Sequence, residues 1–100
     1  MNFGLSEKSY KNLLQVFHHH PEIERVQIFG SRAMGNYQPY SDIDLVLFGK
    51  VDDTLLAKIY SELDELPLPY KFDVKVYADI TYLPLKQHID NISKVIYQKK

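Results

Sequence analysis

The segment from residue 41 to residue 48 constrains the fold of this 100-residue chain most strongly, because apolar and acidic residues alternate along it. Its apolar members are Ile43, Leu45 and Leu47. Successive side chains of a β-strand point to opposite faces, so the alternation predicts a strand with Asp42 and Asp44 together on its polar face. Two carboxylates at this spacing repel each other unless a cation lies between them. We therefore expect a site for a hard divalent cation such as Mg²⁺.

The rest of the chain predicts an α+β fold in one domain over residues 1–100. Apolar periodicity and capping residues predict helices over residues 6–19, 31–34, 52–66 and 83–97, and strands over residues 25–29, 41–48 and 70–77. Ser6, Ser31 and either Asp52 or Asp53 are the expected N-caps. The last helix would present a stripe formed by Leu85, Ile89, Ile92 and Ile96. We expect a three-stranded mixed sheet with the helices packed on one face, which leaves the carboxylate face partly open.

A third aspartate falls on the polar side of the last predicted strand. In this strand the apolar residues Phe72, Val74 and Val76 alternate with polar ones. Asp73 would complete a triad with Asp42 and Asp44 if the two strands pair in a suitable register. The alternative is that Asp73 is an exposed residue that forms a surface ion pair with Lys75.

The turn after the first strand predicts a phosphate site. Gly30 allows a phosphate to approach the backbone closely, Ser31 offers a hydroxyl and an amide, and the following helix begins with free N–H groups. Arg32 either adds a charged donor or faces solvent. Gly30 and Gly35 also have the spacing of a P-loop, but Asn-Tyr follows where that motif has Lys and Ser or Thr. The sequence therefore argues against an ATPase of the P-loop class.

Composition limits the partners of this chain. The net charge is −1 and the isoelectric point is about 6.4, so a basic field for a long polynucleotide is absent. A small anion whose charge is balanced by bound metal ions remains compatible with this charge. The sequence has no cysteine, no apolar run long enough for a membrane helix and no signal-peptide pattern at its start. We expect a cytoplasmic protein without a membrane partner.

Three motifs together resemble the polymerase-β-like nucleotidyltransferase superfamily. Gly30-Ser31 is followed, after ten residues, by Asp42-Ile43-Asp44, and later by Phe72-Asp73-Val74. The short length and the segments LPYKFDVKVY and LKQHIDNISKVIYQ further resemble the minimal nucleotidyltransferases, the MNT or MntA-like proteins. The similarity spans roughly residues 24–98. The chain departs from many relatives at Met34, where they have a basic residue.

The resemblance implies a polymerase-β-like palm fold and a Mg²⁺-dependent activity, with two ions and ATP as substrate. It implies that Asp42, Asp44 and Asp73 are the catalytic metal ligands, that Asp73 also helps to activate the acceptor hydroxyl, and that Gly30-Ser31 binds the triphosphate. Relatives are often paired with a HEPN-domain toxin, and the nucleotidyltransferase acts as antitoxin by transferring AMP to a tyrosine of that toxin. The alternative is a non-catalytic antitoxin that neutralises its partner by binding alone.

Overall fold

The computed structural model describes residues 3–100, which form a mixed β-sheet and flanking helices. The helices are α1 (Glu7–His18), α2 (Ser31–Met34), α3 (Asp53–Asp64) and α4 (Leu83–Ile92), and the strands are β1 (Ile23–Phe29), β2 (Ile43–Gly49), β3 (Phe72–Val76) and β4 (Lys94–Gln98). A short 3-10 turn, Tyr77–Asp79, follows β3. Within the described part of the chain, none of the helices has the length and apolar character needed to cross a membrane.

Two of the predicted N-caps are present. The Ser6 side chain accepts a hydrogen bond from the Ser9 amide at 3.1 Å and begins α1. The Asp52 side chain accepts one from the Leu55 amide at 2.8 Å and begins α3, which decides between the two aspartates. The third cap differs, because α2 has Gly30 at its N-cap position. Local capping chemistry therefore starts the two longest helices where the sequence predicts.

The sheet has the strand order β3-β2-β1-β4. β1 pairs antiparallel with both β2 and β4, whereas β2 and β3 are parallel and are joined through α3. The first face of the sheet carries Ile28 and Leu45, which are fully buried. α1 and α3 cover this face, and their most deeply buried side chains are Leu13, Phe17, Ile59 and Leu63. Residues of one parity therefore form the main core, as the alternation along β2 predicts.

α4 packs on the second face of the sheet. Its buried Ile89 forms a separate apolar cluster with Phe29 of β1 and Val46 of β2. The prediction of helices on one face therefore holds for α1 and α3 but not for α4. The second face is apolar beneath α4 and acidic where β2 begins, so one side of the sheet serves both for packing and for a candidate site.

The α+β class with a mixed sheet is confirmed, but the sheet has four strands rather than the three predicted. The predicted last helix extended to Tyr97, whereas α4 ends at Ile92 and Ser93 is extended (φ −65°, ψ 154°). Residues 94–98 then form β4, an edge strand beside β1. The segment Val-Ile-Tyr favours a strand, and the four-residue spacing of Ile92 and Ile96 fits helical periodicity by coincidence.

Replacing Val95 by alanine tests whether residues 94–98 form a strand. Val95 is 52% exposed, and we expect Val95→Ala to lower the free energy of unfolding by about 0.5 kcal/mol, because strands favour β-branched residues. The matched control is Ala57→Val on the exposed surface of α3, which should also lower it by about 0.5 kcal/mol, because helices favour alanine. Urea denaturation followed by circular dichroism measures both. A stability gain in Val95→Ala would argue for a helix.

Candidate active site

The parallel pairing of β2 and β3 brings two of the predicted acidic residues together. Asp44 lies directly opposite Asp73 in the register of these strands. Tyr60 of α3 helps to fix this register, because its hydroxyl accepts a hydrogen bond from the Val74 amide at 2.7 Å and donates to the Val74 carbonyl at 3.3 Å. Asp42 lies one residue before the start of β2 and is exposed. Asp44 and Asp73 therefore lie side by side where the two parallel strands begin, and Asp42 is close enough for its charge to raise the pKa of Asp44.

Electrostatic repulsion is concentrated at Asp44. The pKa of its carboxyl is raised to about 6, first by burial and then by the neighbouring charges of Asp73 and Asp42, while Lys75 and His88 act in the opposite direction. Lys75 Nζ also lies 3.4 Å from Asp73 Oδ1, with both side chains roughly half exposed. The surface ion pair considered as an alternative for Asp73 is thus present together with the acidic cluster, and an exposed pair of this kind is weak.

The acidic residues suit a hard divalent cation whose coordination shell is completed by oxygen atoms of the substrate. Among residues 3–100, no group of three or more carboxylate, imidazole or thiol side chains is already arranged as a metal cage. Mg²⁺ does not require such a cage, because it usually takes one or two protein carboxylates together with waters and substrate phosphates. Burial and the charges of Asp73 and Asp42 both disfavour the ionised form of Asp44, and a bound cation would offset both effects. The oxygen donors and their mutual repulsion therefore fit the predicted metal.

The Gly30 turn lies beside Asp44, because β1 ends with Phe29 opposite that residue. Gly30 has φ 73° and ψ −154°, a conformation that only glycine adopts readily. A Cβ atom at this position would also overlap Oδ2 of Asp44. α2 begins at Ser31, so the first N–H groups of a helix follow the turn directly. The predicted phosphate turn and the predicted metal site are therefore adjacent.

Arg32 neither faces solvent nor points freely toward the phosphate turn, the two positions expected from the sequence. Its side chain is only 2% exposed. Nη1 donates to the Phe3 carbonyl at 2.8 Å, and Nη2 donates to the Ser41 carbonyl at 2.8 Å. The guanidinium also lies 5.1 Å from the ring centre of Tyr37 and 4.8 Å from that of Tyr70. Arg32 therefore neither faces solvent nor offers a free guanidinium to a phosphate, and it holds the loop that leads into β2.

His88 also lies beside the candidate site, although it is not among the residues predicted from the sequence. The Gly30 amide donates a hydrogen bond to His88 Nε2 at 3.2 Å. The imidazole also makes an edge-to-face contact with Phe29, with 6.1 Å between ring centres. The sequence contains one pointer to this role: His88 lies three residues after Leu85 and four before Ile92, at the flank of the apolar stripe of α4.

The mixed sheet, the paired aspartates and the adjacent glycine turn are the features expected from the resemblance to nucleotidyltransferases. The family model described as "Polymerase beta, Nucleotidyltransferase" matches residues 11–100, and the chain belongs to this family. The resemblance stated from the sequence motifs is thereby confirmed.

Solved structures share the fold at low sequence identity. A chain from the crystal structure of a toxin-antitoxin with AMP-PNP matches with a TM-score of 0.72 and 20% identity, over 96% of this chain and 76% of that chain. A chain from the complex of tri-AMPylated Shewanella oneidensis HEPN toxin with MNT antitoxin gives 0.69 and 14%, over 95% and 74%. A chain from the toxin-antitoxin MntA-HepT gives 0.61 and 17%, over 94% and 74%. These likenesses place the chain in a common fold with the minimal nucleotidyltransferases.

Alanine substitutions at Gly30 and Gly35, which lie at the two ends of α2, separate the cost of backbone strain from the cost of steric overlap. Gly30 and Gly35 both have positive φ, but a Cβ atom meets Asp44 at residue 30 and open space at residue 35. We expect Gly35→Ala to cost roughly 1–2 kcal/mol of unfolding free energy from strain, and Gly30→Ala to cost more. Urea denaturation of both variants provides the comparison. Equal losses would show that Asp44 does not press against the turn.

Asp44→Asn should stabilise the fold in a pH-dependent way. The pKa of Asp44 is about 6 in the folded chain against an ordinary value of 3.8. Between these values the folded state binds more protons than the unfolded state, so the contribution of Asp44 to stability falls as pH rises through 6. The asparagine variant should therefore be more stable than the wild type at pH 7.5, and the gain should shrink as the pH approaches 4.

Urea midpoints of wild type and Asp44→Asn at several pH values between 4 and 7.5 measure this gain. The control is Asp79→Asn, which removes an exposed carboxylate from the turn after β3. A gain that stays constant across this pH range would contradict a raised pKa at Asp44.

Proposed function

We propose that this chain is a Mg²⁺-dependent nucleotidyltransferase that transfers AMP from ATP to a tyrosine hydroxyl of a HEPN-type toxin and thereby acts as its antitoxin. The observation that carries the proposal is the placement of Asp44 opposite Asp73 and against the Gly30 turn. Membership of the nucleotidyltransferase family supports the reaction type. The similar folds that occur with AMP-PNP and with a tri-AMPylated HEPN toxin support the nucleotide and the acceptor.

The proposed binding roles follow from the chemistry of the groups. Asp42, Asp44 and Asp73 would hold the metal, which supplies positive charge against the charge that develops at the α-phosphate. The backbone around Gly30 and the hydroxyl of Ser31 would bind the triphosphate, because a glycine turn followed by a helix start presents N–H groups to an anion. The direct contact predicted for Arg32 is not part of the proposal, because its guanidinium already donates to backbone carbonyls.

In the proposed reaction, the tyrosine oxygen forms a bond to the α-phosphorus of ATP while the bond from that phosphorus to the bridging oxygen of pyrophosphate breaks. Pyrophosphate leaves with the electron pair, and the hydroxyl proton passes to the carboxylate of Asp73. Asp73 suits this role because its half-exposed side chain lies on the edge strand β3, within reach of an incoming partner. Across the sheet, Asp44 lies between Asp73 and the phosphate turn.

Transfer of label from α-³²P-ATP to a purified HEPN-domain toxin tests the proposal. We expect Asp44→Asn and Asp73→Asn each to lower the rate at least about 100-fold, because metal ligation contributes several kcal/mol to transition-state stabilisation. Asp64→Asn, an exposed change at the end of α3, is the control and should retain the rate.

Unchanged labelling with Asp44→Asn would refute the catalytic assignment. The non-catalytic alternative has its own readout, namely protection of cells from the toxin. If Asp44→Asn still binds the toxin and protects cells fully, the chain acts by covering its partner rather than by modifying it.

A further inference from the structure

His88 connects α4 to the backbone of the proposed phosphate turn. Its Nε2 atom accepts the Gly30 N–H at 3.2 Å, and its ring lies edge-to-face on Phe29, the residue before the turn. An amide in this position needs a partner, because a half-buried N–H without one destabilises the fold. The imidazole therefore supplies from α4 a hydrogen bond that the β1–β2 ladder does not provide at Gly30.

The position of His88 is supported by contacts of the two residues that follow it. Ile89 is fully buried in the apolar cluster on the second face of the sheet. Asp90 accepts a hydrogen bond from the Tyr77 hydroxyl at 2.7 Å, and the Tyr77 ring in turn stacks on Phe48 of β2 with 4.6 Å between ring centres. The helix is thus anchored directly after His88, and the imidazole is held at the turn by this packing as well as by its own contact.

Accepting a hydrogen bond at Nε2 requires a free lone pair on that nitrogen, so the form of the ring that makes this contact carries its proton on Nδ1. The Gly30 peptide is then held in a direction that leaves the following N–H groups, those at the start of α2, as the anion donors of the turn. The same contact keeps the backbone of Gly30 against the Asp44 side chain, where a Cβ atom does not fit.

We propose that His88 is a positioning residue for nucleotide binding, which orients the Gly30 peptide and thereby sets the N–H groups after it for the triphosphate. This inference rests on the proposed nucleotide binding at Gly30-Ser31 but not on the identity of the acceptor. The imidazole acts through the backbone and is not a catalytic group.

Three substitutions on α4 test this role. In His88→Gln the amide oxygen can reach the position of Nε2 and accept the Gly30 N–H, whereas in His88→Ala the acceptor is lost. Gln87→Ala, an exposed change at the adjacent position, is the matched control. Titration calorimetry with Mg²⁺-ATP should give a dissociation constant about 3- to 10-fold higher for His88→Ala, as expected for one hydrogen bond. His88→Gln and Gln87→Ala should remain close to wild type.

A second readout uses the protein without nucleotide. Hydrogen exchange followed by NMR should show faster exchange of the Gly30 amide in His88→Ala, with protection recovered in His88→Gln, and the ¹⁵N shifts of His88 in the wild type should report the proton on Nδ1. An unchanged Gly30 exchange rate, or equal ATP affinity in wild type and His88→Ala, would overturn the positioning role alone. A wild type that does not bind ATP would instead refute the proposed function, and this inference with it.

Discussion

The parallel pairing of β2 with β3 is the constraint on which the candidate site depends. A parallel pair cannot be closed by a tight turn, so the chain crosses over through α3 before it returns as β3. α3 is held by Ile59 and Leu63 in the main core, and its Tyr60 hydroxyl bonds to both backbone groups of Val74. A slip of one residue would turn Asp73 toward the core. Packing on the first face therefore sets the acidic pair on the second.

That acidic pair destabilises the folded state, and the exposure of the neighbouring carboxylates limits the electrostatic cost. Burial and like charges raise the pKa of Asp44, so its ionised form is disfavoured in the folded chain. The repulsion stays local because Asp42 is exposed and the side chain of Asp73 is half exposed. On the same face, α4 covers Phe29 and Val46 and leaves the start of β2 open. One face of the sheet thus combines an apolar half that stabilises the fold with a charged half that suits a cation.

Features of this fold that depend on local periodicity can be predicted from the sequence, whereas features that depend on distant partners cannot. The alternation around Asp44 predicted its face correctly, because strand parity is a local property. The pairing of Asp44 with Asp73 could not be predicted from the sequence alone, because the register of two strands is decided by the packing between them. The strand at residues 94–98 is predicted as helix from the spacing of Ile92 and Ile96, whereas the strand preference of Val-Ile-Tyr and the free edge of β1 together select a strand. The metal and nucleotide roles of the predicted residues stay predictions.

Arg32 and His88 show how residues outside the aspartate motif hold the backbone beside it. Arg32 fixes the carbonyl of Ser41, directly before the first aspartate, whereas His88 fixes the amide of Gly30, directly after β1. The two backbone segments that approach Asp44 are therefore each held by a side chain from elsewhere in the fold. A chain that keeps the glycine turn and all three aspartates but loses either support would retain the motif without its geometry. The geometry of the candidate site thus depends on the motif together with the two side chains that hold its backbone.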